Sequence, residues 1–173
     1  QNIIIAANLE GNNFYYNDQV VELDGDEHQV LVKLTMDGEV VWIRSVDGEN
    51  SYYLNICCDP ENNIYLASAF SSSVNYGDHP FSQIGNSANQ TLVLSITQDG
   101  DFRWSNQVHC WAYGVSLIYP NQIFANGSDV FLAGNYRFNA YFNENLLEEV
   151  SHVLELYDTY LTKIDTQTGD FVW

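Results

Sequence analysis

Residues 30–42 read VLVKLTMDGEVVW, a run of strand-forming residues, an Asp-Gly turn and a second run closing on Trp42. The same phrase returns as LVLSITQDGDFRW at 92–104 and as YLTKIDTQTGDFVW at 160–173, so the tryptophans stand 62 and 69 residues apart. A phrase recurring at this period marks an array of repeated supersecondary units.

A second shared run precedes each phrase: NIIIAAN from Asn2, NIYLASA from Asn63 and DVFLAGN from Asp129, spaced by 61 and 66 residues. Between the two landmarks the same offsets align Tyr15 with Tyr76 and Phe142, Val20 with Phe81 and Leu147, and Leu23 with Ile84 and Val150. The repeat units therefore span approximately 1–44, 51–106 and 115–173.

Each unit reads as four strands. The first is expected from Leu54 to Asp59 in the second copy and from Gln122 to Ala125 in the third, and is cut off in the first copy. Asp59-Pro60-Glu61-Asn62-Asn63 forms a turn, because proline presets φ and asparagine tolerates the left-handed region. The IYLA-type run is the second strand, and VLVKL, LVLSI or YLTKI the third. Tight turns at Asp37-Gly38 and Asp99-Gly100, and a looser one at Gln167-Thr168-Gly169, lead into a fourth strand expected to end on tryptophan.

The second and third strands are nearly continuously apolar, so both faces of each sheet must be covered. Antiparallel sheets sandwiched between similar sheets are the blades of a β-propeller. The fold is therefore expected to be all-β, a propeller segment of four-stranded antiparallel blades, with roughly two and a half to three blades and an incomplete ring. One segment fills 1–173, expected to be a fragment of a larger protein or to close by association, with further blades or associated chains completing the ring. One stretch conflicts: 145–154 has helical spacing, with Asn145 and Glu148 placed as a capping box. Repeat register makes Leu146 to Val150 extended, with room for a short helix after it.

Composition narrows the classes of function. The chain carries 23 acidic and 5 basic residues, a formal net charge of −18. Such a polyanion repels phosphate backbones and anionic headgroups, which disfavours nucleic acid and membrane surfaces. No apolar run approaches the ~20 residues that span a bilayer, and no secretory leader opens the sequence shown. Asn89-Gln90-Thr91 and Asn126-Gly127-Ser128 fit the N-glycosylation pattern, which arises readily by chance in an Asn-rich chain. Cys57, Cys58 and Cys110 lack zinc spacing and read as buried free thiols, with room for one disulfide because at most one of the adjacent pair can face Cys110.

Few residues point to chemistry. His28, His79, His109 and His152 are dispersed and read as exposed loop histidines rather than ligands. Asp24 and Asp26 are the calcium candidates, in an Asp-Gly-Asp-Glu loop that lacks the known calcium-loop patterns; no other cofactor is expected. Asp59 and Glu61 offer a weaker set that turn chemistry already explains. Trp42, Trp104 and Trp173 read as structural marks that pack between blades.

Propeller topology puts second-to-third-strand connections and blade-to-blade connections on one face. The long segments from Leu9 to His28, Phe70 to Asn89 and Tyr136 to Tyr157 then share a face with Tyr52, Tyr53, His109, Trp111 and Tyr113, which is the candidate binding face. The first segment holds six acids (Glu10, Asp18, Glu22, Asp24, Asp26, Glu27) and no Lys or Arg, which would favour a cationic partner or metal.

NNIYLASAF from Asn62, SVNYG from Ser73 and TLVLSITQDGDFRW from Thr91 resemble the bacterial SBBP-type β-propeller repeats, whose pattern runs GNIYVAGSF, a VDFGG-like segment and DIFVAKLDxxGNxLWAK. The family glycines are partly replaced, as by Asn17-Asp18 and Glu144-Asn145. The resemblance implies a large secreted or cell-surface protein, often of Bacteroidetes exported by the type IX system. Residues 164–173 also resemble, more weakly, the tryptophan-docking phrase of quinoprotein-type propellers. Together these give the expected function: a non-catalytic binding or scaffold module, used in adhesion or in recognition of a protein or glycan partner. The alternatives are part of a propeller enzyme, quinoprotein-like or glycan-active, and a purely structural spacer.

Overall fold

The computed structural model describes residues 2–17, 19–23, 27–48, 51–85, 88–110, 117–148 and 157–173. These residues form strands and turns with no helix among them, and the strands make successive antiparallel sheets.

The first blade contains β1 (Asn2–Glu10), a hairpin of β2 (Asn13–Tyr16) and β3 (Gln19–Glu22), then β4 (Glu27–Thr35) and β5 (Val40–Asp47). The second contains β6 (Ser51–Cys58), β7 (Ile64–Phe70), the hairpin β8 (Ser73–Tyr76) and β9 (His79–Ser82), β10 (Gln90–Ile96) and β11 (Phe102–Cys110). The third contains β12 (Leu117–Asn126), β13 (Asp129–Arg137), β14 (Ala140–Phe142), β15 (Asn145–Leu147) and β16 (Asp158–Ile164), with an isolated bridge from Ile164 to Phe171. The second blade has the expected four strands in the order β6-β7-β10-β11; the first shows β1-β4-β5 and the third β12-β13-β16. The sheets form an open, propeller-like series and no closed barrel.

Apolar side chains on both faces of each strand hold the series together. Leu31, Trp42 and Val46 of the first blade bury against Ile64, Leu66, Leu92, Leu94 and Ile96 of the second. On the second blade's other face, Tyr65, Ala67, Val93, Trp104 and Val108 bury against Ile123, Val130, Leu132, Tyr160 and Ile164 of the third. Every residue of β7 and of β10 is buried, as unbroken apolar runs require when a sheet is covered on both sides.

Three sequence expectations are corrected. The long connecting segments each hold a short β-hairpin, and in the second and third copies the hairpin reaches the blade before it. Asn75 of β8 pairs with Asp47 of β5, and Tyr141 of β14 with His109 of β11, so these hairpins extend the preceding sheet. Their inward aromatics Tyr76 and Phe142 are buried in the seam.

Second, Trp42 and Trp104 stand near the start of the outer strand and do not end it. Beyond Trp42, β5 keeps pairing with β4 as far as His28↔Asp47, and beyond Trp104, β11 pairs with β10 as far as Thr91↔Val108. The backbone donors after the tryptophan need partners, and the neighbouring strand is long enough to supply them.

Third, the aligned columns slip by one in the first copy. Tyr16 closes its hairpin opposite Gln19 as Tyr76 does opposite His79, and Val21 pairs with Phe14 as Phe81 does with Val74. Tyr16 and Val21, not Tyr15 and Val20, therefore match Tyr76 and Phe81. An extra residue before β2 shifts the hairpin, and since strand side chains alternate, the shift turns Tyr15 and Val20 outward to solvent. In the third copy Asn145–Leu147 is extended, as repeat register requires. Val150 and the region of the expected short helix lie outside the described residues.

Candidate functional site: a tyrosine cluster at one end of the blades

Strands β6, β10, β12 and β16 all start at the same end of the series, because β7 and β13 run antiparallel between them. Four tyrosines meet there. Tyr53 lies 4.8 Å from Tyr119 between ring centroids and 5.4 Å from Tyr52; Tyr119 lies 6.1 Å from Tyr157. These are edge-on and tilted contacts of the kind aromatic quadrupoles favour.

The backbone that builds the cluster is irregular. The β6–β7 register shifts between Tyr52 and Asn55, and Tyr53 takes φ of 59°. A bulky residue in the left-handed region costs of order 1–3 kcal/mol and persists only where its surroundings enforce it. Here the Asn55 side-chain amide donates to the Tyr53 carbonyl at 3.1 Å, and the bulge aims the Tyr53 ring outward, half exposed. Asn89, fully buried, ties the cluster to both blades: its amide nitrogen donates to the Tyr52 hydroxyl at 3.3 Å, and its carbonyl oxygen accepts the Ile118 N–H at 2.8 Å. Burial pushes the Tyr119 phenol up to about 12, reinforced by Tyr157, Tyr52 and Tyr53 and partly opposed by a hydrogen bond from Asn89. At neutral pH Tyr119 thus adds an uncharged hydroxyl to the ring faces of the cluster.

Of the residues named from sequence, Tyr52 and Tyr53 lie in this cluster, while Trp111, Tyr113 and His152 lie outside the described residues. The histidines correct a further expectation. His28 is a buried strand residue whose Nδ1 sits 2.6 Å from Asp47 Oδ1. His109 is also buried in a strand, its ring stacked on Tyr141 at 5.4 Å, and burial lowers its pKa. His79 is exposed and stacks on Phe102 at 3.9 Å.

Asp24 and Asp26 lie outside the described residues, as do Asp18 and the Glu27 side chain; Glu10 and Glu22 are exposed. Among the described residues no cluster of three or more His, Cys, Asp or Glu is arranged to hold a metal ion. Both oxygens of Asp59 are taken up within its own turn, accepting from the Asn63 backbone at 2.8 Å and from the Asn63 amide and Tyr65 hydroxyl, each at 2.8 Å. The cysteines are free thiols; Cys110 is buried and Cys57 half-buried, but Cys58 is exposed, against the expectation that it would be buried.

Tyr119 and Tyr157 were missed from the sequence. Tyr119 pairs with Asn135 as Tyr52 pairs with Ala69, so it is the Tyr52 of the next unit, and carrying the repeat register through the first strands would have found it. Tyr157 precedes β16 and carries no periodic signal.

The tryptophans occupy the opposite end. Trp42 Nε1 donates to the Gln98 carbonyl at 3.1 Å and Lys33 Nζ donates to the same oxygen at 2.6 Å. One unit on, Trp104 Nε1 and Arg103 donate to the Thr166 carbonyl at 3.0 and 3.1 Å. In each seam an indole and a cation clamp the next blade's turn. No protein-family model matches the chain, and no curated protein matches it in sequence.

Proposed function

We propose that this chain serves as a non-catalytic binding or scaffold module of a secreted or cell-surface protein, recognising its partner through the tyrosine cluster. The observation that carries this reading is the gathering of Tyr52, Tyr53, Tyr119 and Tyr157 at one end of the blades, with Tyr53 held outward in a costly backbone conformation. Rigid tyrosines offer large amphipathic contact area at low entropic cost, which is why they are favoured in recognition surfaces. Ring faces suit the C–H faces of sugars, the hydroxyls suit their hydroxyls, and a net charge of −18 turns polyanions away. A neutral oligosaccharide is the partner chemistry that fits best. The resemblance to SBBP-type repeats supports the extracellular setting.

The test is an array of neutral oligosaccharides, followed by calorimetry on the strongest hit with the parent chain, Tyr53→Ala and Tyr119→Ala. Binding that drops at least tenfold in both variants, with the fold intact by circular dichroism, is expected. An array without a hit, or binding indifferent to both substitutions, would overturn the reading.

A further inference from the structure

The repeat register superimposes the two seams inside the chain, and at one level their chemistry differs. In the seam between the second and third blades, Tyr160 of β16 lies opposite Gly134 of β13 and is buried against the second blade. Its hydroxyl reaches the Tyr119 carbonyl at 3.5 Å, the side chain of Thr91 lies beside it, and a Cβ on Gly134 would fall 2.4 Å from its oxygen. The phenol thus fills the space over Gly134 and sets one polar group between two blades.

In the seam between the first and second blades the same positions hold Leu92, Ser68 and Gln29. Leu92 lies opposite Ser68 as Tyr160 lies opposite Gly134. Gln29 pairs with Val46, four residues past Trp42, as Thr91 pairs with Val108, four residues past Trp104. Ser51, opposite Phe70, takes the place of Ile118, opposite Tyr136. Leucine brings no hydroxyl, yet the residues around it are polar. Gln29 and Ser68 are 0 % and 1 % exposed, and among the described residues neither end of the Gln29 carboxamide nor the Ser68 hydroxyl has a hydrogen-bond partner. The Ser51 hydroxyl, on the same face of the sheet, is also buried and unpartnered.

A buried donor or acceptor without a partner carries its full desolvation cost, so several gathered at one level call for a bonding partner. Room for one exists, because Ser51 for Ile118 and Leu92 for Tyr160 free more volume than Gln29 and Ser68 take back. We propose that an ordered water molecule is built into the first seam at this level, bonded to the Gln29 carboxamide of the first blade and to the Ser68 hydroxyl of the second, with the Ser51 hydroxyl as its third partner. Water fits because these side chains are uncharged and offer both donors and acceptors to a molecule that does the same. It does in the first seam what the Tyr160 hydroxyl does in the second, carrying a polar contact between blades whose seam is otherwise lined by Leu31, Val46, Leu66 and Leu92. This inference concerns the seam and does not depend on the tyrosine reading.

A high-resolution crystal structure of the chain tests it directly. Density for a water within about 2.7–3.2 Å of both the Gln29 carboxamide and Ser68 Oγ is expected. In solution, Gln29→Met keeps the length of the side chain and removes both polar ends, while Ser68→Ala removes the hydroxyl. Each should lower the urea midpoint, and the two together should lower it by less than the sum, because either one already deprives the water of a partner. Three results would each overturn the proposal: a crystal structure with no water bridging Gln29 and Ser68, a midpoint unchanged or raised by Gln29→Met, or strictly additive effects of the two substitutions.

Discussion

The indole nitrogen of Trp42 and the carbonyl oxygen of Gln98 lie 3.1 Å apart across the seam between the first two blades, a bond that Trp104 and Thr166 repeat at 3.0 Å in the next seam. Neither bond lies within a single sheet. Each joins the first turn of an outer strand to the hairpin turn of the following blade, so the turn chemistry of one unit depends on the indole of another.

Substitutions at the tryptophans should therefore separate by seam. Trp104→Phe keeps a ring and loses the donor; with Arg103 still bonded to the Thr166 carbonyl, the cost should be about 1 kcal/mol. Trp104→Ala also opens a cavity and should cost about 3–5 kcal/mol. Trp173→Phe, at an exposed position, should stay within about 0.5 kcal/mol in dilute solution. Urea denaturation of the three variants checks the ranking.

The turn glycines should show the same dependence. Gly38 and Gly169 both take φ of 83°, so an alanine at either costs ~1–2 kcal/mol for backbone conformation. A Cβ on Gly169 would also fall 2.4 Å from the Trp104 ring, whereas one on Gly38 meets nothing nearer than 3.7 Å. Gly169→Ala should thus be worse than Gly38→Ala by about 1–3 kcal/mol, the usual cost of overpacking. Thermal unfolding of the pair decides it.

These relationships also mark how far the sequence could be read. The period, the strands around VLVKL and LVLSI, and the two-sided burial were legible because unbroken apolar runs and recurrent tryptophans survive without any tertiary information. The hairpins were not, since four-residue strands such as Ser73–Tyr76 are too short to show a period of their own. One extra residue before β2 was enough to misplace Tyr15 and Val20, because a shift of one exchanges the faces of a strand. At the candidate site, Tyr52 and Tyr53 stood out as off-pattern aromatics. Tyr119 and Tyr157 did not, because contacts across a blade seam leave no mark in local spacing.

Thiol chemistry should follow burial. Cys57 and Cys110 are pushed up to about 12 chiefly by burial, while Cys58, although also raised, is exposed. At pH 8 an aromatic disulfide reagent should modify Cys58 in the native protein and reach Cys57 and Cys110 only after unfolding in guanidinium. Reaction of Cys110 before unfolding would contradict its placement in the seam.

Alkaline stability should fall over a defined window. Burial raises the phenols of Tyr65, Tyr76 and Tyr119 to about 12 in the folded chain, against about 10 when unfolded. A raised folded pKa means the unfolded chain releases its protons first, so this stabilisation is complete below pH 10 and is lost as pH rises toward 12. Tyr160 is raised further still by complete burial. Unfolding free energies measured from pH 8 to pH 12, with phenolate absorbance recorded in parallel, should show the loss beginning near pH 10.

The most direct test of the blade-to-blade clamp is hydrogen exchange of the indole N–H groups, followed by nitrogen-resolved NMR and assigned by single Trp→Phe substitutions. In dilute solution Trp42 and Trp104 should exchange slowly, because their protons are held by the Gln98 and Thr166 carbonyls, and Trp173 should exchange fast. Equal and rapid exchange at all three indoles would contradict the clamp.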